Sequence, residues 1–226
     1  MQIYKIGRQQ VRYLPLFLKP MSVTYGLIML MVVSKLMMIN QVPATFANVY
    51  VTWFDAYLLG LVYLPVTALI SITQLSYRQV DYLISGCRKT LYQQWVIQST
   101  LVQTALWLPW AVTTLVMSWH IGIMINFQAA LVLIFSTFEV LGNQMVLVIV
   151  ALVAFQLTKS KLIGATVVLG ANMIFFSLYL NKLSMPFWQF TASQAPINKF
   201  ASWGILMLIL YVLMQLLLIL IKQRDY

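Results

Sequence analysis

Six long apolar runs limit what this chain can fold into. They cover residues 21–39, 55–75, 96–119, 127–157, 162–180 and 201–221. A hydrocarbon core of about 30 Å is crossed by about 20 apolar residues in a helix, so each run is long enough for one span. The sequence is 62% hydrophobic and only 8% charged, whereas soluble domains carry about 25% charged residues. It therefore predicts an all-α, polytopic membrane protein, with six transmembrane helices in one domain over residues 1–226.

Basic residues are concentrated in alternate connections between these runs. Eleven of the 14 fall on one predicted side. These are Lys5, Arg8, Arg12, Lys19, Arg78, Arg88, Lys89, Lys159, Lys161, Lys222 and Arg224. The other side receives Lys182 and Lys199, and Lys35 is expected to snorkel from the first run to the headgroups. By the positive-inside rule, both termini are predicted to be cytoplasmic. Because the charges flank apolar runs, the net charge of +10 indicates contact with membrane lipid and not with nucleic acid.

Two amphipathic segments are predicted on the cytoplasmic side. Residues 1–20 alternate apolar and basic side chains, which is typical of a helix lying on the membrane surface, although a disordered basic tail has the same composition. In the loop 77–94, between the second and third runs, Val80, Leu83 and Ile84 fall at i, i+3 and i+4. This apolar face either docks a partner or belongs to a basic loop that only anchors the topology.

The sequence lacks the residue patterns of common enzymes. It has no G-x-x-x-x-G-K-[ST] segment to bind nucleotide phosphates, and the single histidine, His120, excludes an H-E-x-x-H zinc site. Cys87 is the only cysteine, so a disulfide within the chain is impossible. No Ser/His/Asp or Cys/His set has support from its context. We therefore expect no catalytic activity, no bound cofactor and no metal site in this chain.

Glu139 is an acidic residue near the middle of an apolar run, and Asn143 follows one helical turn later. A carboxylate there is costly and usually faces a bundle interior or a wet cavity. Either the two residues belong to a transport pathway, or the helix breaks and Glu139 lies in an interfacial turn. Because run 127–157 is longer than one span requires, we predict one broken helix, with two re-entrant half-spans as the alternative. Asp55, by contrast, is predicted to cap the start of the second span.

Ser71 on the second run and Gln103 on the third are further pathway candidates. Neutral polar side chains in transmembrane helices also form hydrogen bonds between helices, which is the commoner role. The sequence leaves open whether these two residues line a pathway or only join helices.

The order of these parts resembles that of the ABC-2 type permease family, the membrane subunits of ATP-driven exporters. Residues 3–19 are similar to the family's cytoplasmic amphipathic helix, and the six spans with both ends inside match its topology. In the loop between the second and third spans, Leu83-Ile84-Ser85 followed by Arg88 looks like the family's coupling helix. Short re-entrant helices often precede the sixth span in the family, and residues 186–200 resemble them.

The same loop also departs from the family pattern. An acidic residue is expected ahead of the coupling helix, but Gln74 and Gln79 lie there instead. The proline often found before the arginine is replaced by Gly86-Cys87. The resemblance therefore rests on architecture over nearly the whole chain more than on this motif.

The resemblance implies a permease subunit that works with a separate cytoplasmic ATPase, on which ATP is bound and hydrolysed. It implies that two permeases, as a homodimer or a heterodimer, form the pathway in a bacterial cell (inner or plasma) membrane. The implied cargo of the exporter is a peptide, a lipid or an amphiphilic drug-like compound. The implied ATPase-coupling residues are Val80, Asp81, Leu83, Ile84 and Arg88.

Two other functions agree with the same sequence. One is an ATP-independent secondary transporter or channel with Glu139 as the coupling group. The other is a non-transporting membrane scaffold or sensor, in which the polar residues only hold the helices together.

Overall fold

The computed structural model describes residues 22, 25–38, 45–74, 88–123, 126–183, 187–192 and 194–223. All the regular structure in these residues is helical. The α-helices are α1 (Tyr25–Met38), α2 (Phe46–Trp53), α3 (Leu64–Gln74), α4 (Arg88–His120), α5 (Phe127–Thr158), α6 (Lys161–Leu180) and α7 (Pro196–Gln223). A π-helix, Ala56–Tyr63, precedes α3, and a 3-10 helix, Gln189–Thr191, lies between α6 and α7. The predicted all-α class is confirmed for these residues.

Five helical stretches are long and apolar enough to cross a membrane, which is compatible with a multi-pass membrane protein. They are Phe46–Thr73, Tyr92–His120, Phe127–Thr158, Lys161–Leu180 and Pro196–Gln223. A shorter apolar helix, Tyr25–Met38, precedes them at the position of the first predicted span. The predicted interfacial segment 1–20 lies outside the described residues, as do Val80, Asp81, Leu83 and Ile84, whereas Arg88 is the first residue of α4.

Helix α5 is the centre of the bundle, because it is the most buried of the five and packs against α3, α4, α6 and α7. It begins after Asn126, whose side chain accepts a hydrogen bond from Gln128 N, and ends at Lys159 in the left-handed conformation (φ 59°). Between these ends it is continuous, so the structure shows neither the broken helix nor the two half-spans expected for 127–157. Glu139 does not break the helix, because its carboxylate has a cation partner inside the bundle.

The second span is less regular than the sequence indicates, because α2 already begins within the predicted loop 40–54. Thr45 caps α2 by accepting a hydrogen bond from Asn48 N, and a π-helical stretch follows before α3. Pro65 is the second residue of α3, two residues after the last residue of the π-helix. A proline ring clashes with the carbonyl group four residues earlier in an α-helix, and the residue at that position, Leu61, lies within the π-helix.

Lys35 and Asp55 form an ion pair that joins α1 to the start of the π-helix. The prediction that Lys35 snorkels to the headgroups is wrong. Its side chain is buried, and its Nζ lies 3.5 Å from Asp55 Oδ2. Asp55 also caps the π-helix, since its carboxylate accepts hydrogen bonds from Tyr57 N (3.3 Å) and Leu58 N (3.1 Å). The predicted cap is therefore confirmed, and the carboxylate has a second role that local sequence does not reveal.

The two roles of Asp55 are separable by substitution. Asp55→Asn is expected to keep the cap and lose the ion pair, whereas Asp55→Ala loses both, and a lost cap costs about 1 kcal/mol. In thermal unfolding of the purified protein in detergent, the melting temperature should therefore be highest for the wild type, lower for Asp55→Asn and lowest for Asp55→Ala. In a Lys35→Met background, the protein with Asp55 should no longer have a higher melting temperature than the protein with Asp55→Asn, because the ion pair is absent from both. Equal melting temperatures for wild type and Asp55→Asn would contradict a stabilising ion pair.

Candidate functional site

Polar side chains form two stripes along α5, although the helix is otherwise apolar. Ser136, Glu139 and Asn143 follow one another at i, i+3 and i+7, and Thr137 and Gln144 are also seven residues apart. Residues at these spacings share a helix face. All five side chains are buried inside the bundle. The two stripes face different neighbours and so build two separate clusters.

The first cluster, here called the amide cluster, consists of Thr67, Ser71, Gln103 and Gln144 from α3, α4 and α5. Gln103 Nε2 donates to the main-chain oxygen of Thr67 (2.8 Å) and to Ser71 Oγ (2.7 Å). Gln144 Nε2 donates to Thr67 Oγ1 (3.1 Å). The predicted pathway candidates Ser71 and Gln103 are therefore in direct contact, and together with Gln144 they join three helices.

Two acceptors in the amide cluster have no protein partner among the described residues. These are Gln103 Oε1 and Gln144 Oε1, and both atoms are buried. A buried polar atom without a partner costs about 1–3 kcal/mol. The cluster therefore holds the helices together and, in addition, offers two oxygen atoms that can accept hydrogen bonds from a donor entering the bundle.

The second cluster, here called the ion-pair cluster, consists of Tyr50, Ser136, Glu139, Gln189 and Lys199. Lys199 Nζ lies 2.9 Å from Glu139 Oε2, and the two side chains are 0% and 1% exposed. The same ammonium group donates to the main-chain oxygen of Gln189 and lies 5.7 Å from the centre of the Tyr50 ring. A buried charge is tolerated when it is paired and hydrogen-bonded. Lys199 meets both conditions, whereas Glu139 is paired through Oε2 only and its Oε1 has no partner among the described residues.

Lys199 was predicted in an outer loop, and this prediction is wrong, because the residue lies in the first turn of α7 and is fully buried. Counting loop charges could not detect the pair, since its partner Glu139 is 60 residues away. One signal was present in the sequence. An acidic residue in an apolar run requires a cation nearby, and Lys199 lies at the edge of the last apolar run.

Tyr50 connects α2 to the chain between α6 and α7. Its hydroxyl group lies 2.8 Å from Ser136 Oγ and can donate its one hydrogen to the main-chain oxygen of either Phe190 (2.7 Å) or Ala192 (2.8 Å). Sequence reasoning missed Tyr50, because the residue fell in a predicted loop. The tyrosine fixes residues 187–192, here called the connecting segment, against α2 and α5.

Further contacts hold the connecting segment inside the bundle. Asn143 Oδ1 accepts a hydrogen bond from Trp188 N (3.2 Å), and Asn143 Nδ2 donates to the main-chain oxygen of Glu139 (2.7 Å). Trp188 has a positive φ of 61° and its ring packs against Gly60. Phe187 stacks on Phe175 with 4.1 Å between ring centres. Glu139 and Asn143 therefore contact the same segment, Asn143 directly and Glu139 through Lys199.

A cavity of about 450 Å³ lies at the end of the bundle where α4 ends and where α2, α5 and α7 begin. Its lining includes Phe46, Ile123, Ala129, Val132, Gln194 and Pro196. The described residues that line it are uncharged, and Asn126, Gln128 and Gln194 supply polar groups. The cavity therefore suits a neutral or amphiphilic group better than a free ion.

The described residues contain no group of three or more His, Cys, Asp or Glu side chains that could hold a metal ion. The chemistry available within them is hydrogen bonding and charge pairing in the two clusters. Comparisons with protein families, with curated proteins and with solved structures found no match for this chain.

Proposed function

We propose that this chain is the membrane-spanning permease subunit of an ATP-driven ABC transporter, which exports a peptide, a lipid or an amphiphilic drug-like compound. One observation carries the transport part of this proposal. The central helix α5 buries two polar clusters in the middle of an apolar bundle, and the amide cluster has two acceptors that no described residue uses. Polar groups at such depth are costly and are typical of substrate and ion pathways.

The sequence has no phosphate-binding loop of its own, which agrees with this proposal, because ATP would then be bound by a separate ATPase subunit. Helix α3 ends at Gln74 and α4 begins at Arg88, both at the end of the bundle opposite the cavity. At that same end Lys161 Nζ donates to the main-chain oxygen of Thr73 (3.2 Å), which links the start of α6 to the end of α3. An ATPase that docks on the proposed coupling residues would therefore act on helix ends joined to the rest of the bundle.

Purification of the tagged chain from its native membrane in mild detergent tests this proposal. We expect a P-loop ATPase in stoichiometric amount. Leu83→Asp should release the ATPase, because loss of an anchor residue in an interface costs about 2 kcal/mol or more. Arg88→Glu should weaken the complex for the same reason, whereas Lys182→Glu, beyond the opposite end of α6, should leave it intact. Absence of any ATPase from the purified wild-type chain would refute the ATP-driven function.

One observation favours a second candidate, an ATP-independent transporter that uses Glu139. The Glu139 Oε1 atom is buried and has no hydrogen-bond partner among the described residues, so it could accept a proton or contact a cation. The other carboxylate oxygen, Oε2, is held by Lys199. This function requires gradient-driven uptake by the chain alone, in vesicles that contain no ATPase. A scaffold would show neither a bound ATPase nor uptake.

A further inference from the structure

The cavity, the ion-pair cluster and the amide cluster follow one another along α5. Val132 lines the cavity, Ser136 and Glu139 belong to the ion-pair cluster, and Gln144 belongs to the amide cluster. With a rise of 1.5 Å per residue, Glu139 lies about 10 Å below Val132 and Gln144 about 8 Å below Glu139. The three sites therefore occupy successive levels of one bundle, with the ion pair in the middle.

The ion-pair cluster is joined to the cavity by direct contacts. Gln194, which lines the cavity, donates from Nε2 to Gln189 Oε1 (3.0 Å). The main-chain oxygen of the same Gln189 accepts a hydrogen bond from Lys199 Nζ. Pro196, another lining residue, is the first residue of α7 and precedes Lys199 by less than one turn. The residues that bound the cavity are thus held in place by the ion pair.

Resting on the proposed transport function, we propose that the ion-pair cluster is a gate that separates the cavity from the amide cluster. The connecting segment is its moving part. When the contact between Lys199 and Glu139 opens, the segment leaves the bundle interior and the cavity becomes continuous with the amide cluster. The closed gate is the arrangement in this structure, since both charged side chains are buried and paired.

The backbone of the connecting segment suits a part that moves. Trp188 is a bulky residue in the left-handed conformation (φ 61°), which is rare outside glycine and persists only when surrounding contacts impose it. The segment is attached through single polar contacts to Tyr50, Asn143 and Lys199 and through the buried rings of Trp188 and Phe190. Opening the gate would break these hydrogen bonds and expose the two rings, so the closed arrangement is the favoured state.

The two sites on either side of the gate define the class of substrate. The cavity has an uncharged lining that suits an apolar or neutral body. The amide cluster offers the acceptors Gln103 Oε1 and Gln144 Oε1. Between them lies the ion pair of Glu139 and Lys199, whose opposite charges sum to zero. The inferred substrate is an amphiphile whose polar groups donate hydrogen bonds, as the N–H groups of a peptide do.

Cysteine labelling tests the gate directly, because Cys87 is the only cysteine and is removed by Cys87→Ser. Into this background we would place Ala129→Cys in the cavity, Ser71→Cys in the amide cluster and Val116→Cys on the exposed apolar face of α4. A membrane-impermeant trimethylammonium methanethiosulfonate is applied to each face of the membrane in turn. The face from which Ala129→Cys reacts is the one used for the comparison.

With the gate intact, Ser71→Cys should react roughly 10- to 1,000-fold more slowly than Ala129→Cys, as expected for access through a minor open state. Val116→Cys should not react. Adding Glu139→Gln together with Lys199→Met removes both charges and should bring Ser71→Cys close to the rate of Ala129→Cys. Equal rates with the gate intact would overturn the proposal, and so would an unchanged slow rate in the folded double variant.

A milder variant covers the case in which the double variant does not fold. Tyr50→Phe keeps the ring and loses the hydroxyl contacts to Phe190 and Ala192, so Ser71→Cys should react faster in it than with wild-type Tyr50. No change would count against the gate. Because labelling requires no ATPase, a failed ATPase purification refutes only the ATP-driven function, while the labelling rates decide the gate separately.

Discussion

Lys199→Met is expected to lower the free energy of unfolding by about 3–5 kcal/mol, because it leaves a buried charge without its partner. Among the described residues, the remaining Glu139 carboxylate would have no cation near it, and both of its oxygen atoms would be buried in the bundle. Glu139→Gln should be comparably damaging, since the Lys199 ammonium group would then keep only neutral contacts. Thermal or denaturant unfolding of the purified variants in detergent measures the loss.

The double variant with Glu139→Gln and Lys199→Met provides the control for this prediction. Replacing both members of a buried ion pair is often neutral or stabilising, because the desolvation cost of both charges disappears. We therefore expect it to unfold at a higher temperature than either single variant. A double variant whose loss equals the sum of the two single losses would show that the residues do not interact, and would contradict the pair in the structure.

Local features of the sequence predict local features of the structure. Hydropathy over about 20 residues located α5, α6 and α7, because each crosses the bundle as one apolar helix. The Asp55 cap was equally predictable, since a cap depends on main-chain groups two and three residues away. In α2 the same approach failed, because the apolar runs left Tyr50 in the predicted loop 40–54, whereas its environment is set by Ser136, Phe190 and Ala192.

The two polar clusters are formed by contacts between residues that are far apart in the sequence. The periodicity of apolar residues does not encode such contacts. Glu139 was identified because a carboxylate within an apolar run is unusual, but its partner was assigned to a loop. Ser71 and Gln103 were identified by polarity, and the sequence left open whether they line a pathway or join helices. The structure shows that they do join helices, and it leaves the acceptor Gln103 Oε1 unused by any described residue.

Gly60→Ala is the substitution expected to disturb the connecting segment most without altering any charge. A Cβ atom at residue 60 would lie 2.5 Å from Trp188 Cη2 and 2.7 Å from Cζ2 and Cζ3. The indole ring is rigid and 1% exposed, so it has no room to yield. Overpacking of this kind costs about 1–3 kcal/mol. A lower melting temperature, together with faster labelling of Ser71→Cys, is the expected result.

Two further glycines separate this steric effect from the general effect of adding a methyl group. Gly170→Ala on α6 has no atom within 4 Å of the new Cβ, so it should be neutral or stabilising by up to about 1 kcal/mol, as expected for alanine in a helix. Gly142→Ala meets the end of the Leu206 side chain, which is also buried but is smaller and less rigid than an indole ring, so its cost should be smaller than that of Gly60→Ala. In a Trp188→Leu background, Gly60→Ala should destabilise the protein much less, because the rigid ring that the new methyl group meets is gone. Such non-additivity is expected for two residues in contact. An undiminished cost in that background would mean that Gly60 serves the π-helix itself and not the packing of Trp188.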